Sequence, residues 1–459
     1  MRMKIDQRPS FFLNYMSDQP VVNQYHTQYN SIDKILEGHP KLLDLFHRDL
    51  INYGSSTGRE SGYSSEQVLR MLLVKCIEGL SFRDLIIRVC DSDFLRYFIR
   101  IGMTDKLMSF GFLDGAFKCI KESTWKEINE LVEKTALKEK KISGDQLRLD
   151  STAYESTIHY PTDTSLLWDS YRVIARMIRQ CTQAEKLYDM GSRFHEKKVK
   201  SLYTFIAQHS NKENKSTKRK VKRSKQLLLE RVEELQEKAE AYVEHAERIR
   251  SISITAGVLV KVLKDMLGKT RRVIEQSMRA FSGETVPAKE RIFSIFEEHT
   301  ELLQRGKAHK PFEFGHLVTI AQTQEKFISY YTTEEVSRHD TEYKDEVLEH
   351  HKKTFGEYPK KFTADKNYHV SVDDTKEWEE KVDVYSVCKK GNRTEEEIGR
   401  EHSEEFKKMQ AFRAGIEGSI SVLKRVFGLK RCIYRGFKSF ASSLGCLVLC
   451  HNLVLLSRL

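Results

Sequence analysis

Between residues 64 and 100 the chain shows short apolar faces separated by polar punctuation. In "SSEQVLRMLLVKCIEGLSFRDLIIRVCDSDFLRYFIRIG", Val68, Leu69, Leu72, Leu73 and Cys76 recur at helical spacing, and so do Leu85, Ile86, Val89 and Cys90. Ser64 with Gln67, and Ser81 with Asp84, stand where capping pairs open helices. The turn "EGLS" holds Gly79, so the pattern predicts a helix–turn–helix unit over 64–100, with more helix to about 141. Residues 1–60 are mixed and poorly periodic.

The period changes at 145–158. Leu147 and Leu149 alternate with Arg148 and Asp150, and Thr, Ala and Tyr follow, which predicts a strand. After "HYPTDTSLLWDSY" the pattern is helical over 170–305. Within it Leu228, Val232, Leu235, Ala239, Tyr242, Ala246 and Ile249 fall at alternating spacings of four and three, a heptad seam over 228–249. The seam can close an intramolecular hairpin with the next helical stretch or pair with a second chain; the hairpin is the simpler arrangement. Two β-rich runs flank "QTQEK" and predict a hairpin over 311–333. Phe362 and Ala364 lead into Asp365. "KVDVYSVCKKGN" is a further strand ended by Gly391, and helix is predicted from about 395 to 430.

Composition narrows the class. The 459 residues suit about three domains. A charged fraction of 31% against 39% hydrophobic is that of a globular chain, and the net charge of +11 favours a polyanionic partner, nucleic acid or an acidic membrane surface. Much of that charge sits in "NKENKSTKRKVKRSK", 211–225, with eight Lys or Arg and one Glu. Such a run is either a solvated segment or a strip that tracks phosphates. The eight cysteines form no Cys-x-x-Cys pair, so neither a disulfide framework nor a zinc ribbon is expected, and reduced thiols in a cytoplasmic protein are. Cys446 and Cys450 could share a helix face in "LGCLVLCHNLVLLS", which reads as core. The N-terminal "MRMKIDQRPSFFLNYM" has no apolar run of signal-peptide length, and the run at 444–456, broken by His451 and Asn452, reads as too short to span a bilayer.

Asp is unfavourable in strands, so Asp150 needs a reason. It is either a turn residue at a strand end or a ligand set on a rigid element. Asp365 closes another short β-like run. Glu417 sits among the small residues Gly415, Gly418 and Ser419, beside Ile416, Ile420 and Leu423 at core spacing. The simplest role for Glu417 is an i,i+4 ion pair with Arg413.

Taken together, "LRLDSTAYESTIHYPTD", "FTADKNYH" and "RAGIEGSISVLKR" resemble the three catalytic blocks of bacterial insertion-sequence transposases of the DDE type, closest to the ISNCY-like group. "SSEQVLRMLLVKCIEGLSFRDL" resembles the helical DNA-binding domain that precedes the catalytic core in such enzymes. The third block of related enzymes reads Tyr-x2-Arg-x3-Glu-x6-Lys. Arg413, Glu417 and Lys424 match its last three positions, and Gln410 replaces the Tyr.

The resemblance implies a mixed α/β protein with an RNase H-like catalytic core in two parts, 142–169 and 310–459. A helical N-terminal DNA-binding domain over 1–141 and a helical, coiled-coil insertion over 170–309 complete the expected organisation. It implies Asp150, Asp365 and Glu417 as catalytic residues and metal ligands for two Mg²⁺ ions, with Mn²⁺ as a substitute. Three carboxylates on rigid elements suit that hard ion, which takes oxygen ligands. Arg413, Lys424, Arg425 and Lys366 would contact transposon-end or target DNA. Lys430, Arg431, Arg435 and Lys438 extend the basic tail, and synapsis of two ends implies a homodimer. The competing readings are a catalytically inactive DNA-binding descendant, an RNase H-like nuclease without strand transfer, and a basic coiled-coil scaffold.

Overall fold

The computed structural model describes residues 4, 19–51, 53, 62–184, 194–249, 252–307 and 310–459. The N-terminal stretch read for a signal sequence lies almost wholly outside them. In chain order the elements are α1 (Pro20–Glu37), α2 (Pro40–Leu50), α3 (Ser65–Ile77), α4 (Phe82–Cys90), α5 (Asp93–Ile99), α6 (Phe110–Cys119), α7 (Glu122–Lys138), β1 (Gln146–Glu155), α8 (Asp163–Ala184), α9 (Glu196–His209), α10 (Lys215–Arg248) and α11 (Ile254–Ser282). Then follow β2 (Glu301–Lys307), β3 (Lys310–Thr323), β4 (Ile328–Thr333), α12 (Asp340–Phe355), β5 (Lys361–Ala364), α13 (Val372–Lys381), β6 (Val384–Val387), α14 (Glu395–His402), α15 (Glu404–Arg425) and α16 (Phe437–Leu456). They divide into two compact units, 1–155 with 316–459, and 156–315.

In the first unit the capping signals act as the sequence suggests. The Ser64 side chain accepts from Gln67 N–H, and the Gln67 side chain accepts from Ser64 N–H. Ser81 caps α4 through Asp84 N–H, but its hydroxyl donates to the Asp84 carboxylate at 2.7 Å, so the reciprocal backbone bond is replaced. Gly79 turns the chain between α3 and α4 at φ 64°, where a side chain would be strained. α3 is buried on nearly every side, against α2, α5 and α16, so it has no free face for a groove. α4 keeps one, with Arg83, Ile87 and Arg88 exposed. α1 and α2 form where the sequence pattern suggested nothing; each starts with a proline and lacks a side-chain cap.

α16 is apolar all round because it is core, packed against α7, α3, α1 and β4. The run expected to be too short for a membrane belongs to a 20-residue helix with the length and composition to cross one, and its burial accounts for that composition. The sheet of this unit has the order β3-β1-β5-β6, with β4 pairing antiparallel to β3. β1 pairs parallel with β5, and β5 parallel with β6. Leu147 and Leu149 of β1 share an apolar cluster with Tyr343, Val347 and Leu348 of α12. α15 lies against β1, β5 and β6.

The second unit is built on α8–α11. Leu228, Val232, Leu235, Ala239, Tyr242 and Ala246 of the heptad seam are buried, and α10 packs against α8, α9 and α11. The seam is therefore filled from within the chain. Helix stops at Ser282, short of the expected 305, and β2 pairs antiparallel with the start of β3 from Glu301 onward. Likewise the helix expected over 395–430 breaks at Ser403, whose side chain caps α15 through Phe406 N–H.

Candidate active site

The parallel pairing of β1 with β5 brings the first two acids to the same end of the strand pair. The register runs Gln146↔Lys361, Leu147↔Phe362, Arg148↔Thr363, Leu149↔Ala364. The residues that follow this last pair are Asp150 and Asp365. Neighbouring strands lie about 4.7–4.9 Å apart. Asp365 is where β5 ends and the short 3₁₀ turn Lys366–Tyr368 begins, at the carboxyl edge where open α/β sheets place their ligands. Both aspartates are half-buried. Asp150 Oδ1 accepts from Ser151 N–H at 2.7 Å. Beside it, burial raises the Tyr368 hydroxyl well above its ordinary range, and the Asp340 and Asp150 carboxylates raise it further.

Strand alternation puts Leu147 and Leu149 toward α12, so Arg148 and Asp150 face the other way. Arg148 identifies what covers that face. Its Nη1 donates to the Phe412 carbonyl of α15 at 2.8 Å, and its Nε donates to Gln322 Oε1 of β3 at 3.0 Å. Nη2 donates to the same Gln322 oxygen. The guanidinium also lies 4.7 Å from the Phe412 ring centroid. Only 3% of Arg148 is exposed, and burial pulls its pKa down to about 10. A Cβ on Gly415 would run into Arg148 Nη1, so the glycine makes the close approach of α15 to β1 possible. In the sequence Asp150 draws attention as an acid in a strand, and Arg148 beside it does not. A lone Arg between two core leucines, in phase with the acid, was the available signal.

Glu417 is carried by the same helix. Its neighbours Ile416 and Ser419 are buried and Glu417 itself is exposed. Its carboxylate and those of Asp150 and Asp365 do not close to within 4.8 Å of one another as a group. The structure thus sets the two aspartates directly after the last paired residues of β1 and β5 and places Glu417 on a helix packed against both strands. The ion pair with Arg413 does not form among the described residues. Arg413 Nε donates to Gln410 Oε1 at 3.2 Å instead. Gln410, at the position where related enzymes have Tyr, ties α15 to the sheet. Its Nε2 donates to Ser386 O at 2.8 Å, to Ser386 Oγ at 3.0 Å and to Thr363 Oγ1 at 3.3 Å.

Of the expected DNA contacts, Lys366 and Arg425 are exposed, and Arg413 and Lys424 are half-buried. Arg431 is already paired, 3.1 Å from Glu155 at the end of β1.

Two family models match this chain. A Transposase DDE domain covers residues 298–453, and a Transposase domain (DUF772) covers residues 23–113. Asp365 and Glu417 fall inside the first match, whereas Asp150 lies outside both. The two matches, one on either side of the middle of the chain, support an insertion-sequence transposase of the DDE type. No curated protein and no solved structure matches it.

Proposed function

We propose that the protein binds the ends of its insertion sequence, cleaves DNA there and joins the freed end to target DNA, using Asp150, Asp365 and Glu417 on an RNase H-like core. The observation that carries this reading is the register of β1 on β5, with Asp150 and Asp365 following its last pair and α15 against both strands. Members of this family generally use divalent metal ions. The donor set fits Mg²⁺, because it is three carboxylates with no nitrogen or sulfur among them. Bound there, such ions activate an attacking oxygen at neutral pH and stabilise the leaving one.

The chain's own residues do the rest. Asp150 and Asp365 hold the cation side of the site. Glu417, on the exposed flank of α15, orients the attacking water or 3′-hydroxyl through a hydrogen bond accepted from it. Arg413, Lys424, Arg425 and Lys366 contact phosphates near the scissile bond. The helical N-terminal domain over 1–141 recognises the end sequence. The start of α10 adds a phosphate-tracking strip. Lys215, Lys218, Arg219, Lys220, Lys222, Arg223 and Lys225 follow one another with no acid between them, and none makes an ion pair among the described residues.

The test is cleavage of a duplex carrying the DNA that flanks this gene, in Mg²⁺, by wild type and by Asp150→Asn, Asp365→Asn and Glu417→Gln. We expect a 3′-hydroxyl at the repeat boundary from wild type alone, and joining of that end to a second duplex. Cleavage without joining would make the protein a nuclease. Binding without cleavage by any form would make it an inactive DNA-binding descendant.

A further inference from the structure

Three thiols meet inside the first unit, away from the carboxylates. They belong to Cys76 on α3 and to Cys446 and Cys450, one turn apart on α16. Their sulfurs all lie within 4.8 Å of one another, and none of the three residues is more than 6% exposed. The helices that carry them pack directly together. A tetrahedral thiolate site with metal–sulfur bonds of about 2.3 Å has sulfurs about 3.8 Å apart. The triad is close to that spacing with both helices in place.

The surroundings supply what a buried metal needs. Three thiolates around a divalent ion leave one negative charge, which would be costly in an apolar interior. Lys75 precedes Cys76 and supplies the balancing positive charge. Hydrogen bonds with Cys450 and Cys76, aided by the Lys75 charge, hold the Cys446 thiol well below its ordinary range. Cys76 is raised, first by its hydrogen bond with Cys446, and Cys450 is raised first by burial. A metal would displace the thiol protons on binding. A cavity of about 250 Å³, lined by Cys76, Cys446, Lys75, Tyr434 and Ser443, gives an entry path and space for a fourth ligand.

We propose that Cys76, Cys446 and Cys450 bind one soft divalent cation of the zinc or cadmium class, stapling α3 to α16. Sulfur ligands select against Mg²⁺, so this site is chemically separate from the carboxylates. It does not depend on the transposase reading. The competing account is three small apolar side chains sharing a core, which predicts no metal binding.

The experiment uses the full chain, reduced and stripped with chelator, titrated with Cd²⁺ and with Co²⁺. We expect a thiolate-to-metal charge-transfer band that saturates at one ion per chain and a rise in melting temperature, neither of them produced by Mg²⁺. Cys90→Ser, at an exposed thiol, keeps both, and Cys446→Ser loses both. Should Cys446→Ser fail to fold, mass-spectrometric mapping of slow thiol alkylation in wild type decides the matter. Cd²⁺ at a hundred times its Kd should slow labelling of Cys76, Cys446 and Cys450 together by about 100-fold and leave Cys90 unchanged. No band in wild type, a band that survives Cys446→Ser, or protection that falls on other thiols overturns the proposal.

Discussion

Arg148 and the start of α10 hold positive charge in opposite ways. Arg148 is sealed between β1 and α15, where its guanidinium meets a carbonyl, an amide oxygen and an aromatic face. On α10, seven cations occupy positions 215–225, with no acid in the first turn to oppose the helix dipole. Lys215 and Arg219, Lys218 and Lys222, and Arg219 and Arg223 are each four apart, the spacing at which like charges repel on a helix. Cations at a helix N-terminus are unfavourable as well. One charge is placed to hold two elements together. The others are kept at a cost to the helix, which makes sense where a polyanion relieves it. Neutralising charge should therefore lower stability at the first place and raise it at the second.

The largest effect is expected at the acids. Asp150→Asn should reduce cleavage below detection with end binding unchanged by gel shift, and residual Mg²⁺-dependent nicking would remove Asp150 from the site. Arg148→Met comes next. The buried Gln322 oxygen loses its donor, and a buried polar group left unpaired costs about 1–3 kcal/mol. α15 carries Glu417, and a displacement of about 1 Å can cost about 100-fold in rate. We expect cleavage to fall about 10- to 100-fold under saturating DNA, with the affinity for DNA kept. An unchanged rate in a destabilised protein would reduce Arg148 to packing. Third is the combined change of Lys218, Arg219, Lys222 and Arg223 to Gln. The slope of log affinity against log salt should flatten by about 0.9 for each phosphate contact removed. Chemical denaturation should show the folded protein gaining a few tenths to about 1 kcal/mol from relieved repulsion. A loss of stability there would undo the contrast with Arg148.

The parts legible in the sequence were those written in local chemistry. β1 declared itself by alternation, α3 by the Ser64–Gln67 box, and the β3–β4 hairpin by its polar turn. The heptad seam was visible as a seam, but a seam does not name its partner; α8, α9 and α11 do so only once folded. α1 and α2 escaped because proline starts without a capping side chain send a weak local signal. β2 escaped because its pairing with β3 is set by strand contact beyond its own short stretch. At the site, Asp365 was legible as an acid ending a β-like run, whereas Asp150 sits inside β1, with five more strand residues after it. Their common place after the last β1–β5 pair came from strand pairing between segments distant in the chain. Gln410 looked like a loss when set beside Tyr, yet its bonds to Ser386 and Thr363 give it a structural task of its own.

The smallest effect tests how tightly Arg148 is held. Gly415 and Gly418 are both interior to α15, where Gly→Ala is worth about 0.8–1.0 kcal/mol in helix propensity. At Gly418 an added Cβ meets nothing within 4 Å, so Gly418→Ala should stabilise the protein by roughly that amount. At Gly415 the added Cβ meets Arg148 Nη1. A surface arginine would swing aside at little cost. Arg148 has to break bonds to Phe412 and Gln322 to do so, so Gly415→Ala should be neutral or destabilising in the same denaturation experiment. Placed on Arg148→Met, where the guanidinium is gone, Gly415→Ala should recover part of the gain seen at Gly418. Equal stabilisation by both single changes would mean that Arg148 yields readily, and then it could not be what keeps α15 against β1.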